Sequence, residues 1–291
     1  MEETRQHPAI GAGQDAGKIA IIGDVHGVLD AVETLVDMLD MDAGDHLIFA
    51  GDLVDKGPHS AGVVRFVRRL AESAPFKVTL VEGNHEDRHR RYHINKTKRP
   101  AIAYTMAAAA WDLPALDMQL TADDRAWLAA AVPFVKIPAW DAIVVHGGIP
   151  GNMETLPESP EAASSLTGKR KSAFRQILRT RYIDGKTGSF VAFGREQPGD
   201  VFWAETYDGR FGHVVFGHQP FMEGPACFSN ATGIDTAAVH GGALTALVLP
   251  SPKSGAAEPH FVSVPSRPYR SYRASAQPSH PGGAITLTRA I

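Results

Sequence analysis

The sequence predicts an α/β protein whose functional edge is built from strand-end loops, and two observations carry that reading. Three short apolar runs, Lys18 to Ile22, His46 to Ala50 and Phe76 to Val81, follow one another with helix-patterned stretches between the first two pairs of runs. Each run stops at a glycine followed by a residue able to bind a cation, as Gly23-Asp24-Val25-His26-Gly27, Gly51-Asp52 and Gly83-Asn84. Parallel strands joined by right-handed crossovers gather such loops along one edge of a sheet.

Taken in order, the first run reads as a buried strand, and Val28, Leu29, Val32, Leu35, Val36 and Leu39 then keep helical spacing. The second strand leads to Asp52 and to a helix over Ala61 to Ala71 with Val63, Val64, Phe66, Val67 and Leu70 on its inner side. Residues 88 to 140 break the pattern. Arg88, Arg90, Arg91, Lys96, Lys98 and Arg99 form a basic run suited to attracting a polyanion. An alanine-rich helical stretch follows, then a helix from Thr121 in which Asp124 completes a cap. This reads as a helical insertion beside the site. Ala142 to Val145 returns to the sheet and delivers His146, and Val214 to Phe216 delivers His218. Asn152 to Lys171, rich in Pro, Ser and Glu, reads as surface loop. Gly233 to Leu249 reads as two strands turning at Gly241-Gly242, within a second sheet packed on the first. One domain over 18–250 results, with a flexible arm over 1–17 before it. After it, 251–291 is a Pro-, Ser- and Arg-rich tail of the kind that stays disordered or lies on a surface.

With 44% apolar residues and a net charge of -3, the composition is that of an ordinary globular protein. The single cysteine, Cys227, excludes an internal disulfide framework and most cysteine metal sites. No run approaches the roughly 20 apolar residues that a membrane-spanning helix needs, and Met1 to Lys18 has no apolar signal segment, so a cytoplasmic protein without a membrane partner is expected.

The strand-end loops together offer Asp, His, Asp, Asn, His and His, a mixed oxygen and nitrogen donor set without thiolate. Such a set suits manganese, iron or zinc more than calcium or a structural zinc, and two such metals serve to clamp a phosphate. Asp52, set on a glycine-flanked turn amid these donors, reads as a carboxylate shared between two divalent ions. Helix caps or turn formers are the bland alternative for Asp24 and Asp52. Two Gly-Asp turns coinciding with His and Asn partners favour metals. His46, His59, His213, His260 and His280 read as packed or surface residues.

Gly23-Asp24-Val25-His26-Gly27, Gly51-Asp52-Leu53-Val54-Asp55, Gly83-Asn84-His85-Glu86, His146-Gly147-Gly148 and Gly217-His218 resemble, in order, the motif series of calcineurin-like metallophosphoesterases. The resemblance implies a four-layer α-β-β-α sandwich with a dinuclear centre at the strand ends. The complete Gly-Asn-His-Glu and His-Gly-Gly are similar to the phosphoprotein phosphatase branch, which includes symmetrical diadenosine tetraphosphatases and their relatives. Lys56-Gly57-Pro58, Arg179-Thr180-Arg181-Tyr182 and Gly233-Ile234-Asp235-Thr236 are similar to the tetraphosphatase side. Asp55 is a protein-phosphatase feature, Lys56 stands where both groups have Arg, and Ala237 stands where Gly is usual.

By that resemblance Asp24, His26 and Asp52 hold one metal and Asp52, Asn84, His146 and His218 the other, with a bridging hydroxide as nucleophile. His85 is the implied general acid and Asp55 its orienting partner, while Lys56, Arg179 and Arg181 hold phosphate. His240, whose His-Gly-Gly echoes position 146, stands where the family has a bulky residue and takes no role. The activity implied is hydrolysis of a nucleoside polyphosphate of the diadenosine tetraphosphate kind, with capped RNA or polyphosphate as further substrates. Dephosphorylation of serine or threonine in a phosphoprotein is the alternative. A phosphodiesterase or nuclease, or a scaffold without metals, are readings of other classes, and the intact ligand set and His85 argue against the scaffold.

Overall fold

The computed structural model describes residues 17–252 and 258–269. Its first units are β1 (Ile19–Ile22) with α1 (Leu29–Met38), β2 (His46–Phe49) with α2 (Ser60–Ser73), and β3 (Lys77–Leu80) with α3 (Asn84–Lys98). The helices α4 (Pro100–Ala109), α5 (Asp112–Gln119) and α6 (Ala122–Ala129) follow. Next come β4 (Val135–Ile137), β5 (Ala142–Val144), α7 (Pro160–Ser164), α8 (Gly168–Phe174), β6 (Tyr182–Asp184), β7 (Phe190–Val191), β8 (Asp200–Phe202) and α9 (Trp203–Thr206). The described chain closes with β9 (His213–Phe216), β10 (Ala226–Phe228), β11 (Ala231–Gly233), β12 (Ala243–Leu249) and β13 (His260–Pro265).

Two five-stranded sheets, ordered β13-β12-β1-β2-β3 and β10-β11-β9-β5-β4, lie face to face, and β7-β6-β8 forms a small third sheet. Side-chain alternation explains the layering, since successive residues of a strand point to opposite faces. On β1 and β2, Ala20, Ile22, Leu47 and Phe49 pack with Val32, Leu35, Val64 and Val67 of the outer helices. Ile21, Ile48 and Ala50 point the other way and meet Ala142, Val144 and Val215 of the second sheet. That sheet turns Ile143, Val214 and Phe216 outward onto Phe174, Ile177 and Trp203. The expected four layers follow. Both faces of each central strand are buried, which is why the sequence shows apolar runs instead of alternation.

The helical insertion packs on the first sheet's helices, and its cap ties it there. Asp124 Oδ2 accepts from Thr121 N (3.0 Å) and Asp124 N donates to Thr121 Oγ1 (3.1 Å), while the same carboxylate pairs with Arg68 (3.1 Å) and Arg65 (3.4 Å) of α2.

Three elements depart from the sequence expectations. Asn152 to Lys171 is not all loop, because α7 starts at a Ser159 cap that accepts from Ala162 N, and α8 brings Phe174 into the core. The two strands expected over Gly233 to Leu249 do not pair with each other. β11 ends at Gly233 in the second sheet beside β9, whereas β12 joins the first sheet antiparallel to β1. The stretch from Ser251, tail-like in composition, contains β13, whose Phe261, Val262 and Val264 pack as the edge of the first sheet. The remainder of that tail and the arm over 1–16 lie outside the described residues. Among the described residues no helix is long and apolar enough to cross a membrane.

Two histidines set aside in the sequence are packed residues with hydroxyl partners: His46 Nε2 bonds Thr79 Oγ1 (2.8 Å) and His213 Nε2 bonds Thr232 Oγ1 (2.9 Å). Burial lowers the imidazole of His46 to about 3 and that of His213 to about 4. The unfolded chain therefore takes up protons below its ordinary histidine range while the folded chain does not, and each histidine removes stability as pH falls toward 4. His46→Gln cannot titrate. Its unfolding free energy, measured by urea titration between about pH 6 and pH 4, is expected to fall less steeply than the wild type's, by about 1 kcal/mol per pH unit.

Candidate metal centre

The loops after β1, β2, β3, β5 and β9 bring the six predicted metal ligands together. Three strands belong to the first sheet and two to the second, so the site lies where the two sheets present their carboxyl ends. Backbone strain marks the place. His26 (φ 45), Asp52 (φ 51), Asp55 (φ 70), Lys56 (φ 64) and His218 (φ 68) all occupy the left-handed region, a concentration of non-glycine outliers typical of functional loops. Gly217 permits close approach, because a Cβ there would overlap Asp24 Oδ1.

Asp52 is the centre of the arrangement. Its Oδ2 faces His26 Nε2 (3.5 Å) and His85 Nε2 (3.7 Å), whereas its Oδ1 faces His146 Nε2 (3.3 Å). Asp24 Oδ2 lies 3.6 Å from His26 Nε2, and Asn84 Oδ1 lies 3.1 Å from His146 Nε2. Two clusters share the Asp52 carboxylate: His26, Asp52 and His85, and Asp52, His146 and His218.

Proton inventory shows that these groups fit a cation. His146 Nδ1 contacts the Ala50 carbonyl (2.9 Å) and His26 Nδ1 the Val54 carbonyl (2.8 Å), so each Nδ1 donates to backbone and each Nε2 is turned to the centre. His146 Nε2 there faces oxygen atoms of Asn84 and Asp52, which with it make a mixed donor set of the kind a divalent cation takes. Lys56 Nζ supplies a positive group on the other side, 2.6 Å from His26 Nε2. Burial, with the neighbouring charges of Lys56 and Arg181 respectively, keeps the imidazoles of His26 and His218 well below the usual range, and hence neutral as ligands must be. Burial pushes Asp24 up, and nearby Asp235 and Asp52 push it further. Three buried carboxylates thus share one small volume with Lys56 and Arg181 beside them.

The sequence matches the calcineurin-like phosphoesterase family over residues 17–222. The chain is a calcineurin-like phosphoesterase. The family implies a dinuclear divalent metal centre and makes this chain a metal-dependent phosphoester hydrolase. Asymmetrical bis(5'-nucleosyl)-tetraphosphatase PrpE of Halalkalibacterium halodurans is 32% identical over 260 residues, covering 85% of this chain and 93% of the relative. The protein of the same name from Bacillus subtilis is 30% identical over 259 residues, with 84% and 93% covered. A crystal structure of a candidate diadenosine tetraphosphatase superposes with a TM-score of 0.61 at 26% identity, covering 86% of this chain and 94% of that one. A serine/threonine phosphatase from Saccharomyces cerevisiae shares the fold at 18% identity, with a TM-score of 0.54 and 87% and 81% covered. The two bacterial relatives carry the asymmetrical name, where the motifs resemble the symmetrical enzymes.

Around the candidate ligands stands a shell that the sequence only partly signalled. Asp55 Oδ2 accepts from His85 Nδ1 (2.6 Å) and from Arg88, and Asp55 Oδ1 contacts His89 Nε2 (2.7 Å). Burial would raise this carboxyl, but its bonds to His85 and His89 hold it below the usual carboxylate range. His85, Arg88 and His89 stand at i, i+3 and i+4 of α3, so helical spacing from Asn84 would have found all three. Glu86 is buried and accepts from Gly83 N (2.9 Å), Asp52 N (2.8 Å) and Leu53 N (2.9 Å), joining the β2 and β3 loops.

Of the predicted phosphate-binding residues, Lys56 and Arg181 reach the centre and Arg179 does not. Arg181 donates to the His218 carbonyl (2.6 Å) and its guanidinium lies 5.0 Å from the Phe193 ring. Arg179 instead bonds Asp87 (2.7 Å), which also pairs with Arg175, Arg90 and Arg91. Much of the basic run of α3 is paired: Arg88 with Asp55, Arg90 and Arg91 with Asp87, and Lys96 with Asp117. Asp87 is shared among four arginines, so the pairing reduces the positive charge of this face without cancelling it.

Gly217→Ala is expected to displace the Asp24 carboxylate and lower affinity for metal by about 10- to 100-fold, as does loss of a supporting contact at other metal sites. Metal analysis after dialysis measures it, with circular dichroism reporting an intact fold.

Proposed function

We propose that the phosphoesterase hydrolyses dinucleoside tetraphosphates asymmetrically, giving a nucleoside triphosphate and a nucleoside monophosphate. The observation that carries this is the Asp52 carboxylate dividing its oxygens between two histidine sets, a geometry for holding two cations over one phosphate. The substrate class is supported by the tetraphosphatase names of the relatives, matched across most of their length. In this reading Asp24, His26 and Asp52 hold one ion and Asp52, Asn84, His146 and His218 hold the other. Manganese suits the oxygen and nitrogen donors, with iron or zinc as substitutes. Bound there, such ions supply an activated water and neutralise phosphate oxygens.

The chain's own residues do the rest. Lys56 and Arg181 add positive charge beside the phosphate, Lys56 as a point charge and Arg181 as a planar fork fixed by the His218 carbonyl. His85 protonates the leaving oxygen. Its Nδ1 is committed to Asp55, which orients the ring and leaves Nε2 facing the centre, 3.7 Å from Asp52 Oδ2. Burial, with Lys56 adding to it, draws the His85 imidazole below its ordinary range, although Asp52 and Asp55 draw it up. Glu86 fixes the backbone of Asp52 and Leu53 so that the ligands do not drift when charge enters.

The direct test is the manganese-loaded protein with diadenosine tetraphosphate, products separated by anion exchange. ATP and AMP in equal amounts are expected. Two ADP molecules would make the cleavage symmetrical, and an inert tetraphosphate beside a cleaved phosphopeptide would make the protein a protein phosphatase. Asp52→Asn is expected to retain less of both metals and to lose turnover on every substrate.

His85 also lies within ligand distance of Asp52 and His26, so its role as acid has its own check. His85→Asn is expected to keep its metal content, to lose about 10² to 10⁴ in rate on alkyl phosphates, and to lose far less on p-nitrophenyl phosphate, whose leaving group needs no proton. Loss of metal would make His85 a ligand.

A further inference from the structure

Beside the metal centre, on the Lys56 side, a cavity of about 110 Å³ opens between the β2 loop and α5. Lys56, Pro58, Trp111, Asp112, Leu116 and Gln119 line it. Two features distinguish it from an ordinary surface cleft. Trp111 is 70% exposed, an unusual place for the largest apolar side chain. Lys56, one of the lining residues, also carries its ammonium to His26 Nε2 (2.6 Å), so the cavity adjoins the candidate metal centre.

We propose that this cavity holds a nucleobase of the substrate, with Trp111 as the stacking platform. The inference rests on the nucleotide reading of the metal centre. A purine or pyrimidine has a flat apolar face and a polar rim, and the cavity offers the complement. Trp111, Pro58 and Leu116 supply apolar surface, and Asp112 and Gln119 supply polar groups at the margin. A carboxylate accepts hydrogen bonds only, so Asp112 favours a base that carries an exocyclic amine, such as adenine. Asp112 itself stands 3.8 Å from Arg88, which pairs with Asp55, and it is thereby held at the rim. The phosphate chain of a nucleotide seated here leads past Lys56 toward His26 and Asp52. Phosphate affinity alone does not distinguish a nucleotide from inorganic polyphosphate, and this pocket supplies the difference.

The test uses the full chain with metals present. Trp111→Ala is expected to raise KM for diadenosine tetraphosphate about 5- to 150-fold, the range that base stacking on an aromatic ring contributes. Trp111→Phe, which keeps a stacking face, is expected to restore most of that loss. Tripolyphosphate has no base, and its kcat and KM are expected to be unchanged in both variants. Adenosine supplies a readout free of catalysis: it is expected to quench tryptophan emission in the wild type and not in Trp111→Phe. The chain has four tryptophans, and Trp127, Trp140 and Trp203 are present in both proteins, so the difference between them isolates Trp111. Equal KM changes on tetraphosphate and tripolyphosphate, or no change on either, would overturn the proposal, as would absence of quenching by adenosine. If the wild type leaves dinucleoside tetraphosphate intact, the nucleotide reading of the centre fails, and the adenosine titration decides the pocket separately.

Discussion

Everything at the centre depends on one carboxylate that touches no proposed ligand side chain. Glu86 accepts three backbone N–H groups, from Gly83, Asp52 and Leu53, and so fastens the start of α3 to the loop after β2. Asp52 is held besides by His26 N, which donates to its carbonyl (2.9 Å), and by His85 N, which donates to its Oδ1 (3.0 Å). The cost is evident in the charge state of Glu86: burial, then the Asp52 charge, push its carboxyl up to about 8, while backbone donors, Asp52 and Leu53 among them, pull it down. Cations at the centre would cancel the Asp52 contribution and favour the ionised form that accepts three bonds best. Metal binding and loop geometry therefore reinforce one another.

Much of this was legible from residues alone, for an identifiable reason. The six candidate ligands sit immediately after apolar runs, and a parallel sheet sends such positions to one edge whatever the rest of the chain does. The supporting shell was less legible because its partners are far apart in sequence. Asp55 gathers His85, Arg88 and His89, and helical spacing alone could have grouped the last three; their common partner lies 30 or more positions away. Charge counts misled where charges pair. The arginines of α3 read as an exposed basic face, yet Arg88, Arg90 and Arg91 are paired with Asp55 and Asp87. The same buried Asp87 captured Arg179, which motif position alone had sent to the phosphate.

Strand pairing was the other blind spot. β11 and β12 are close in sequence and look like a hairpin, but Thr236, Ala237 and their neighbours carry the chain from one sheet to the other. Ala237 adopts φ 62 at the position where glycine is usual, a local strain that the crossing from sheet to sheet maintains. β13 was hidden by composition. Its Pro- and Ser-rich flanks resemble a tail, while its Phe261, Val262 and Val264 cover the sheet's last strand.

The place of β1 has a consequence for how this chain is made. It is the earliest of the described strands in the sequence and the middle strand of its sheet, flanked by β2 and by β12, with Ile19 opposite Leu249. Until residue 249 is available, one edge of β1 is an unpaired row of backbone donors and acceptors, carried on an apolar strand. Contacts of that sequence separation form slowly because the loop must close first. An early, long-lived open edge is also the surface on which strands of separate chains pair. The open edge of β1 therefore stays available to strands of other chains until β12 has been made, and in the folded sheet the same strand lies between two partners with Ala20, Ile21 and Ile22 fully buried.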